Sequence, residues 1–185
     1  MGLITRKSFT LMEMIVAVGV VGLILPAVFG IFFIIMRQQL VLISYQEMKQ
    51  QGDSAQRNIK NILQNRAAYL TDVGGTAIDC PLPLNPIPTI ASLYIKDREG
   101  VSIHLYLTPY PTPPSVSANT IASDSASKTY YLTTHNVTIS DLGFSCHRIN
   151  EFTPAIVSTT FTVLKSTIFS DISLPYSFNV RLRNY

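Results

Sequence analysis

An uncharged apolar stretch near the N-terminus limits what this chain can fold into more than any other feature. It runs for 23 residues from Met14 to Met36, with Glu13 directly before it and Arg37 directly after it. At about 1.5 Å of rise per residue, a helix of this length crosses the hydrocarbon core of a bilayer. A secretory signal has a shorter apolar core and a small-residue cleavage site behind it, whereas residues 36–39 read Met-Arg-Gln-Gln. The stretch therefore predicts a membrane-spanning helix.

The charges around this stretch predict its orientation. Arg6 and Lys7 precede it, and positively charged residues stay on the cytoplasmic side of a membrane. The prediction is a single-pass protein of the inner (cytoplasmic) membrane, with its N-terminus in the cytoplasm and the remainder outside it. Glu13 lies at the mouth of the span, where a carboxylate is disfavoured and usually has a function. In a generic anchor it would only snorkel to the interface.

Residues 7–13, which read Lys-Ser-Phe-Thr-Leu-Met-Glu, resemble the N-terminal junction of type IV pilins and pseudopilins. Members of that family have a short basic leader, a cleavage site before a hydrophobic residue, then Thr-Leu, and Glu at the fifth mature position. The resemblance implies that a prepilin peptidase cleaves between Ser8 and Phe9 and that the new Phe9 amine is methylated. It also implies that Glu13 pairs with that amine on an adjacent subunit. Ser8 stands where the family usually has Gly, and Pro26 comes earlier in the helix than is usual.

This junction predicts a division of the chain into three segments. Residues 1–8 are predicted to be the leader peptide, and residues 9–36 the transmembrane and assembly helix. Residues 37–185 are predicted to form an extracytoplasmic globular domain that includes the second half of the long helix. The domain is large enough to bury its own core.

An apolar stripe continues beyond the membrane segment. Its members recur at alternating four- and three-residue steps, which places them on one side of a helix. They are Val41, Tyr45, Met48, Gly52, Ala55, Ile59 and Ile62. The stripe predicts one helix from Phe9 to about Leu70 that packs against a sheet, or two helices if residues 52–54 interrupt it and Asp53 caps the second. A coiled coil is the competing interpretation, which small Gly52 and Ala55 disfavour.

After this helix the sequence reads as turns, a connector and a hairpin. Residues 72–75, Asp-Val-Gly-Gly, predict the helix end, and the prolines within residues 80–89 predict an extended connector. Two β-type runs, residues 93–96 and 101–107, flank a short turn containing glycine and predict a hairpin. We assign His104 to the solvent face of that hairpin.

The remaining chain predicts a loop and four more strands. Residues 108–128 are rich in Pro, Ser, Thr and Ala and predict a long exposed loop. The four strands are residues 129–133, 136–144, 155–164 and 177–183, which are dominated by residue types that favour strands. A helix followed by antiparallel strands predicts an α+β fold, with the first half of the long helix in the membrane and the second half on the sheet. The pilin resemblance implies the same architecture.

Two cysteines, Cys80 and Cys146, lie in the part predicted to be extracytoplasmic. An oxidising compartment permits a disulfide between them, and two independent buried thiols are the alternative. A zinc site that includes the neighbouring His147 is disfavoured, because these three ligands show no paired spacing. No cofactor is predicted.

The net charge of the chain limits the kinds of partner that it is expected to bind. The formal net charge of the whole chain is +3, and removal of residues 1–8 leaves 12 basic and 11 acidic side chains. Strong nucleic-acid binding is therefore not expected, since it relies on clustered Lys and Arg. The expected partners are prepilin peptidase, the inner membrane, and other pilin or pseudopilin subunits that pack helix to helix.

The resulting functional hypothesis is a structural subunit, a minor pilin or pseudopilin of a type IV pilus or type II secretion filament. The alternatives are a major pilin for adhesion or motility and a pilin for DNA uptake. A membrane-anchored extracytoplasmic enzyme is the hypothesis of another class. Residues 143–147, Gly-Phe-Ser-Cys-His, match a nucleophile elbow at only three positions and follow a β-type run without a helix behind it. The chain is therefore predicted not to be an enzyme.

Overall fold

The long N-terminal helix is present, and residues 52–54 do not interrupt it. The computed structural model describes residues 10–82, 89–111, 118–125, 128–150, 152–167 and 170–183. Helix α1 spans Leu11–Asn61, and Phe9, the predicted first residue, lies outside the described part of the chain. The chain divides into two units, Met1–Ile43 and Ser44–Tyr185, and each is described by itself below.

The helix ends earlier than the sequence predicts. A π-helical turn, Ile62–Arg66, follows α1, and the Ala67 amide closes it by donating to the Ile62 carbonyl oxygen at 3.0 Å. Ala67 itself is extended, and Tyr69–Thr71 then forms strand β1. The predicted end at about Leu70 is therefore wrong, because Tyr-Leu-Thr has strand-forming residues that pair with a neighbouring strand.

The residues after β1 form a turn within the domain and do not end a helix. The Asp72 amide donates to the Thr76 carbonyl oxygen at 2.9 Å, and the Gly75 amide donates to the Asp72 carbonyl oxygen at 2.8 Å. Gly75 has a φ of 80°, which glycine adopts without a steric penalty. The Gly-Gly pair therefore correctly predicts a turn at residues 72–75. The element before that turn is strand β1, and not the long helix as predicted.

Two antiparallel sheets complete the described part of the second unit. Their further strands are β2 Leu93–Lys96, β3 Ser102–Pro109, β4 Asn119–Ser125, β5 Lys128–Tyr131, β6 Thr138–His147, β7 Ile156–Ser166 and β8 Asp171–Arg181. Sheet A has the order β1–β2–β3–β4–β5, and sheet B has the order β6–β7–β8. One long apolar helix with antiparallel sheets confirms the predicted α+β class.

The predicted hairpin is confirmed as β2 and β3. Leu93 pairs with Leu105, and Lys96 pairs with Ser102. Asp97 stabilises the turn between these two strands, because its Oδ1 accepts hydrogen bonds from the backbone amides of Glu99 at 3.0 Å and Val101 at 2.8 Å.

Strand β4 corrects the predicted loop over residues 108–128. It lies between β3 and β5, and most of its side chains are buried. Ala122 pairs with Tyr106 of β3 on one side and with Tyr131 of β5 on the other. The hydroxyls of Thr120 and Thr133 lie 2.6 Å apart and satisfy each other in the interior. Small and hydroxylated residues resemble loop composition, but here most of them are buried in an inner strand of sheet A.

The four later strands are present with shifted ends, and β8 differs most. It begins at Asp171 and includes Pro175, which an edge strand tolerates because one side of it needs no ladder hydrogen bonds. The predicted alternation at its end is confirmed: the apolar residues are buried and the polar ones exposed. The buried residues are Phe178, Val180 and Leu182, and the exposed ones are Asn179, Arg181 and Arg183.

The apolar stripe of α1 joins the core of the second unit. Its buried members are Met48, Gly52, Ala55 and Ile59. At its ends the prediction needs correction, since Tyr45 is 41% exposed and Leu63, not Ile62, is fully buried. Through the wider π-helical turn, the buried side of the helix continues with Leu63 and Ala67, which are both fully buried.

Candidate functional site

The first candidate site is the apolar part of α1 that precedes the second unit. Every residue from Thr10 to Leu40 is exposed. An 18-residue window there has a mean hydropathy of 2.8, and none of it is buried within the chain. By length and composition this helix can cross a membrane. A helix that is apolar all round needs apolar surroundings, which are lipid or other helices.

Glu13 lies in the first turn of this helix and forms a capping box with Thr10. The Thr10 amide donates to Glu13 Oε2, and the Glu13 amide donates to Thr10 Oγ1, both at 3.4 Å. This reciprocal arrangement gives the Thr10 amide an acceptor and adds to the hydrogen bond that the Glu13 amide donates to the Thr10 carbonyl oxygen at 3.1 Å. The carboxylate also faces the positive end of the helix dipole. Glu13 therefore has a structural role within one chain, and its carboxylate stays exposed. Sequence reasoning missed this role, although the Thr-x-x-Glu spacing that indicates a capping box is present at residues 10–13.

Ser8 and Phe9, the predicted cleavage and methylation positions, lie outside the described residues. Cleavage and methylation therefore remain predictions. Thr10, the first described residue, directly follows the predicted new N-terminus.

Cys80 and Cys146 form a disulfide, one of the two arrangements that the sequence left open. Their Cα atoms lie 5.4 Å apart, and both residues are buried. Next to the bridge, Asp79 forms an ion pair with Arg148, which directly follows β6, at 2.7 Å. The Arg148 amide also donates to the Pro81 carbonyl oxygen at 2.9 Å. The bridge thus fixes the predicted connector to the end of a late strand, and Cys146 carries no free thiol.

Tyr176 of β8 fastens the second half of α1 to sheet B. Its hydroxyl lies 3.1 Å from both the Lys49 carbonyl oxygen and Asp53 Oδ1, and it can donate to either. The ring stacks on Phe161 with centroids 5.0 Å apart and covers Gly52 so closely that a Cβ there would overlap it. Asp53 is thus a hydrogen-bond acceptor within one continuous helix and does not cap a second one.

A second polar contact fastens the same stretch of α1. Glu47 forms an ion pair with Lys165 of β7 and accepts a hydrogen bond from Asn136 Nδ2 at 2.8 Å. One turn further on, Gln51 Oε1 accepts the Thr134 amide at 3.3 Å. The helix residues after Ile43 are therefore held to the rest of the second unit by specific polar contacts as well as by the buried stripe.

Tyr176 should make the second unit lose stability at alkaline pH. Burial, followed by the hydrogen bond and charge of Asp53, raises the pKa of Tyr176 to about 12, against about 10 in an unfolded chain. Its contribution is therefore fully present below pH ~10 and is lost as pH rises towards ~12, because only the unfolded form releases the proton in that interval. Urea unfolding of wild type and Tyr176→Phe at several pH values tests this. We expect a steeper alkaline loss in wild type, and parallel curves would contradict it.

The outer side of sheet A carries a stack of aromatic rings. His104 lies between Tyr94, at a centroid distance of 3.9 Å, and Tyr106, at 4.4 Å. Asp124 pairs with His104 across β3 and β4. Burial lowers the pKa of His104 despite the nearby Asp124 charge, so the imidazole is neutral at neutral pH. The assignment of His104 to the face away from the core is correct, but the ring is sandwiched rather than freely solvated.

The comparisons with known proteins name no family. No protein-family model matches the chain, no curated protein is significantly similar to it, and no solved structure matches it. Among the described residues, no three His, Cys, Asp or Glu side chains are grouped so that they could hold a metal ion. The chain's own residues are therefore the basis for assigning a function.

Proposed function

We propose that this protein is a structural subunit, a minor pilin or pseudopilin, that assembles into a filament through α1. The observation that carries the proposal is an apolar helix with every residue from Thr10 to Leu40 exposed and a single carboxylate, Glu13, at its start. It is joined in sequence to a folded domain with a disulfide, which suits an oxidising extracytoplasmic compartment.

Assembly would exchange one apolar environment of α1, the bilayer, for another, the helices of neighbouring subunits. Before assembly, the bilayer covers the apolar surface of α1. In the filament, the same surface packs against helices of neighbouring subunits, so little apolar area returns to water. Glu13 then needs a positive partner, because a carboxylate in a low-dielectric interior must be paired or bear a large desolvation cost. The free amine of Phe9 on an adjacent subunit is the partner implied by the pilin resemblance.

A generic single-span anchor is the second candidate. The capping box favours it in one respect, because Thr10 already gives Glu13 a role that needs no neighbour. The two candidates differ in what the carboxylate does. In an anchor only its hydrogen bonds matter, whereas in a filament subunit its charge matters as well.

Processing tests the proposal directly. Intact-mass analysis of the protein extracted from its host membrane should show a chain that begins at Phe9, with or without a methyl group. Ser8→Gly should be processed at least as completely, because the peptidase pocket takes small residues in the family. Ser8→Leu should accumulate as the precursor. A wild-type chain that retains residues 1–8 in the membrane would overturn the proposal.

A further inference from the structure

His104 of β3 and Asp124 of β4 lie opposite each other on the outer side of sheet A, and each has a buried polar atom without a partner. The two residues pair directly across the strands. Within the described part of the chain, neither His104 Nε2 nor Asp124 Oδ1 has a hydrogen-bond partner, although both atoms are buried. Most buried polar atoms in folded proteins are hydrogen-bonded, because an unpaired one bears its full desolvation cost. Two such atoms on neighbouring strands therefore need an explanation.

The stacking of His104 between two tyrosine rings supplies that explanation. The planes of the imidazole and the Tyr94 ring differ by 6°, and those of the imidazole and the Tyr106 ring by 14°. Opposite residues of an antiparallel pair have Cβ atoms about 4.5–5.5 Å apart, so His104 and Asp124 are near enough to pair. The orientation of the imidazole thus satisfies the stack and leaves the hydrogen bond to Asp124 unmade.

The titratable side chains around His104 come from all five strands of sheet A and include a single carboxylate among the described residues. Asp124 is the charged group that acts on His104. The amine of Lys96 lies beside Gly75, in the turn after β1. The titratable residues on this side of the sheet are Tyr69 of β1, Tyr94 and Lys96 of β2, Tyr106 of β3, Asp124 of β4 and Tyr131 of β5.

An added proton changes which arrangement of His104 is favourable. Protonation makes both ring nitrogens donors, so Nε2 then carries a hydrogen that Asp124 Oδ1 can accept. The contact becomes a charge-assisted hydrogen bond, which is shorter and stronger than a neutral one. Burial lowers the pKa of His104, and the Asp124 charge acts in the opposite direction. The stacked position therefore disfavours the imidazolium, whereas contact with Asp124 favours it.

We infer that His104 is a pH-operated switch with a stacked, neutral state and a paired, protonated state. In the neutral state its ring lies between Tyr94 and Tyr106. In the protonated state the ring turns towards Asp124, and both tyrosine rings become accessible on the outer side of sheet A. Histidine is the side chain that ordinarily changes charge between about pH 5 and pH 8. The switch needs no second subunit, so it goes beyond the proposed function and does not depend on it.

Nuclear magnetic resonance of the full-length protein in detergent tests the switch. The chain has three histidines, and loss of one histidine signal in His104→Phe identifies His104. The ring resonances of His104, Tyr94 and Tyr106 are followed from pH ~8 to pH ~4, a range that covers histidine protonation. Stacked rings displace the proton resonances of one another. We expect the resonances of both tyrosines to lose this displacement with the same midpoint as His104 protonation.

Two variants separate the charge of this cluster from its packing. His104→Phe keeps an aromatic ring between the tyrosines and cannot take up a proton, so the tyrosine resonances should stay constant over the same pH range. Asp124→Asn keeps the size of the side chain and removes its charge. The midpoint of His104 should then fall by about one pH unit, a tenfold change in proton concentration. His147 of β6 in sheet B is the internal control, and its midpoint should not change.

Three results would overturn the inference. In the first, His104 takes up a proton while the resonances of Tyr94 and Tyr106 stay displaced, so the imidazolium remains between the rings. In the second, the His104 midpoint is the same in wild type and Asp124→Asn, so the carboxylate is not its partner. In the third, the tyrosine resonances of His104→Phe change with pH as they do in wild type. These results concern the folded domain alone and leave the proposed function standing.

Discussion

Glu13→Gln and Glu13→Ala should lose assembly to a similar and nearly complete extent, while both proteins remain inserted and processed. In the proposed filament, either change would leave the amine of a neighbouring Phe9 without its counter-charge in an apolar interior. Removal of one partner from a buried ion pair costs about 3–5 kcal/mol, which corresponds to a loss of more than about 100-fold in association. The measurement compares membrane abundance, processed fraction and recovery in the sheared or cross-linked assembly.

Glutamine separates the charge of Glu13 from its capping role. A Gln side chain can still complete the capping box with Thr10, whereas Ala cannot. Thr10→Ala is the matched control, because it breaks the same box at a cost of about 1 kcal/mol and keeps the carboxylate. We expect Thr10→Ala to assemble nearly as well as wild type. Normal assembly of Glu13→Gln, with failure confined to Glu13→Ala, would reduce Glu13 to a helix cap.

Removal of the disulfide should cause the largest loss of stability. Cys80 and Cys146 are 66 residues apart in the chain, and closure of a loop of that length stabilises the folded state by about 4 kcal/mol in the chain-entropy model. The double variant Cys80→Ser/Cys146→Ser should therefore unfold at a much lower denaturant concentration than wild type. Urea unfolding of the full-length protein in detergent, followed by near-ultraviolet circular dichroism, measures the difference.

Two controls assign this loss to the cross-link. Reduction of the wild type should bring its unfolding curve close to that of the double variant. Cys80→Ala/Cys146→Ala should behave like the Ser pair, which shows that burial of two new hydroxyls is not the cause. An unfolding free energy of the double variant within about 1 kcal/mol of wild type, in the presence and absence of reductant, is the result that the chain-entropy model forbids.

Features set by local sequence were predicted well. The apolar run, the stripe through Met48 and Ile59, and the β2–β3 hairpin all depend on residues that are close in the chain. Helical and strand periodicities report such elements directly. The Thr10–Glu13 capping box is equally local, since its two residues are three positions apart, but it was missed although its spacing was readable from the sequence.

Features set by tertiary contacts could not be predicted in the same way. Strand β4 reads as a loop because its small, hydroxylated residues favour a strand only once β3 and β5 lie on either side. The place of His104 between Tyr94 and Tyr106 depends on the register of β2 against β3. The helix end at the π-helical turn likewise depends on what β1 pairs with, and residues 72–75 alone do not specify it.

The most direct test of assembly through α1 is photo-cross-linking of the full-length chain in its native host, with p-benzoylphenylalanine in place of Phe29. Phe29 lies within the apolar stretch, is 64% exposed, and touches only lipid if the helix is a plain anchor. We expect an adduct with the N-terminal helix of another subunit, present in wild type and strongly reduced in Glu13→Gln. Adducts with lipid alone in every fraction, from a correctly processed chain, would contradict assembly through this helix.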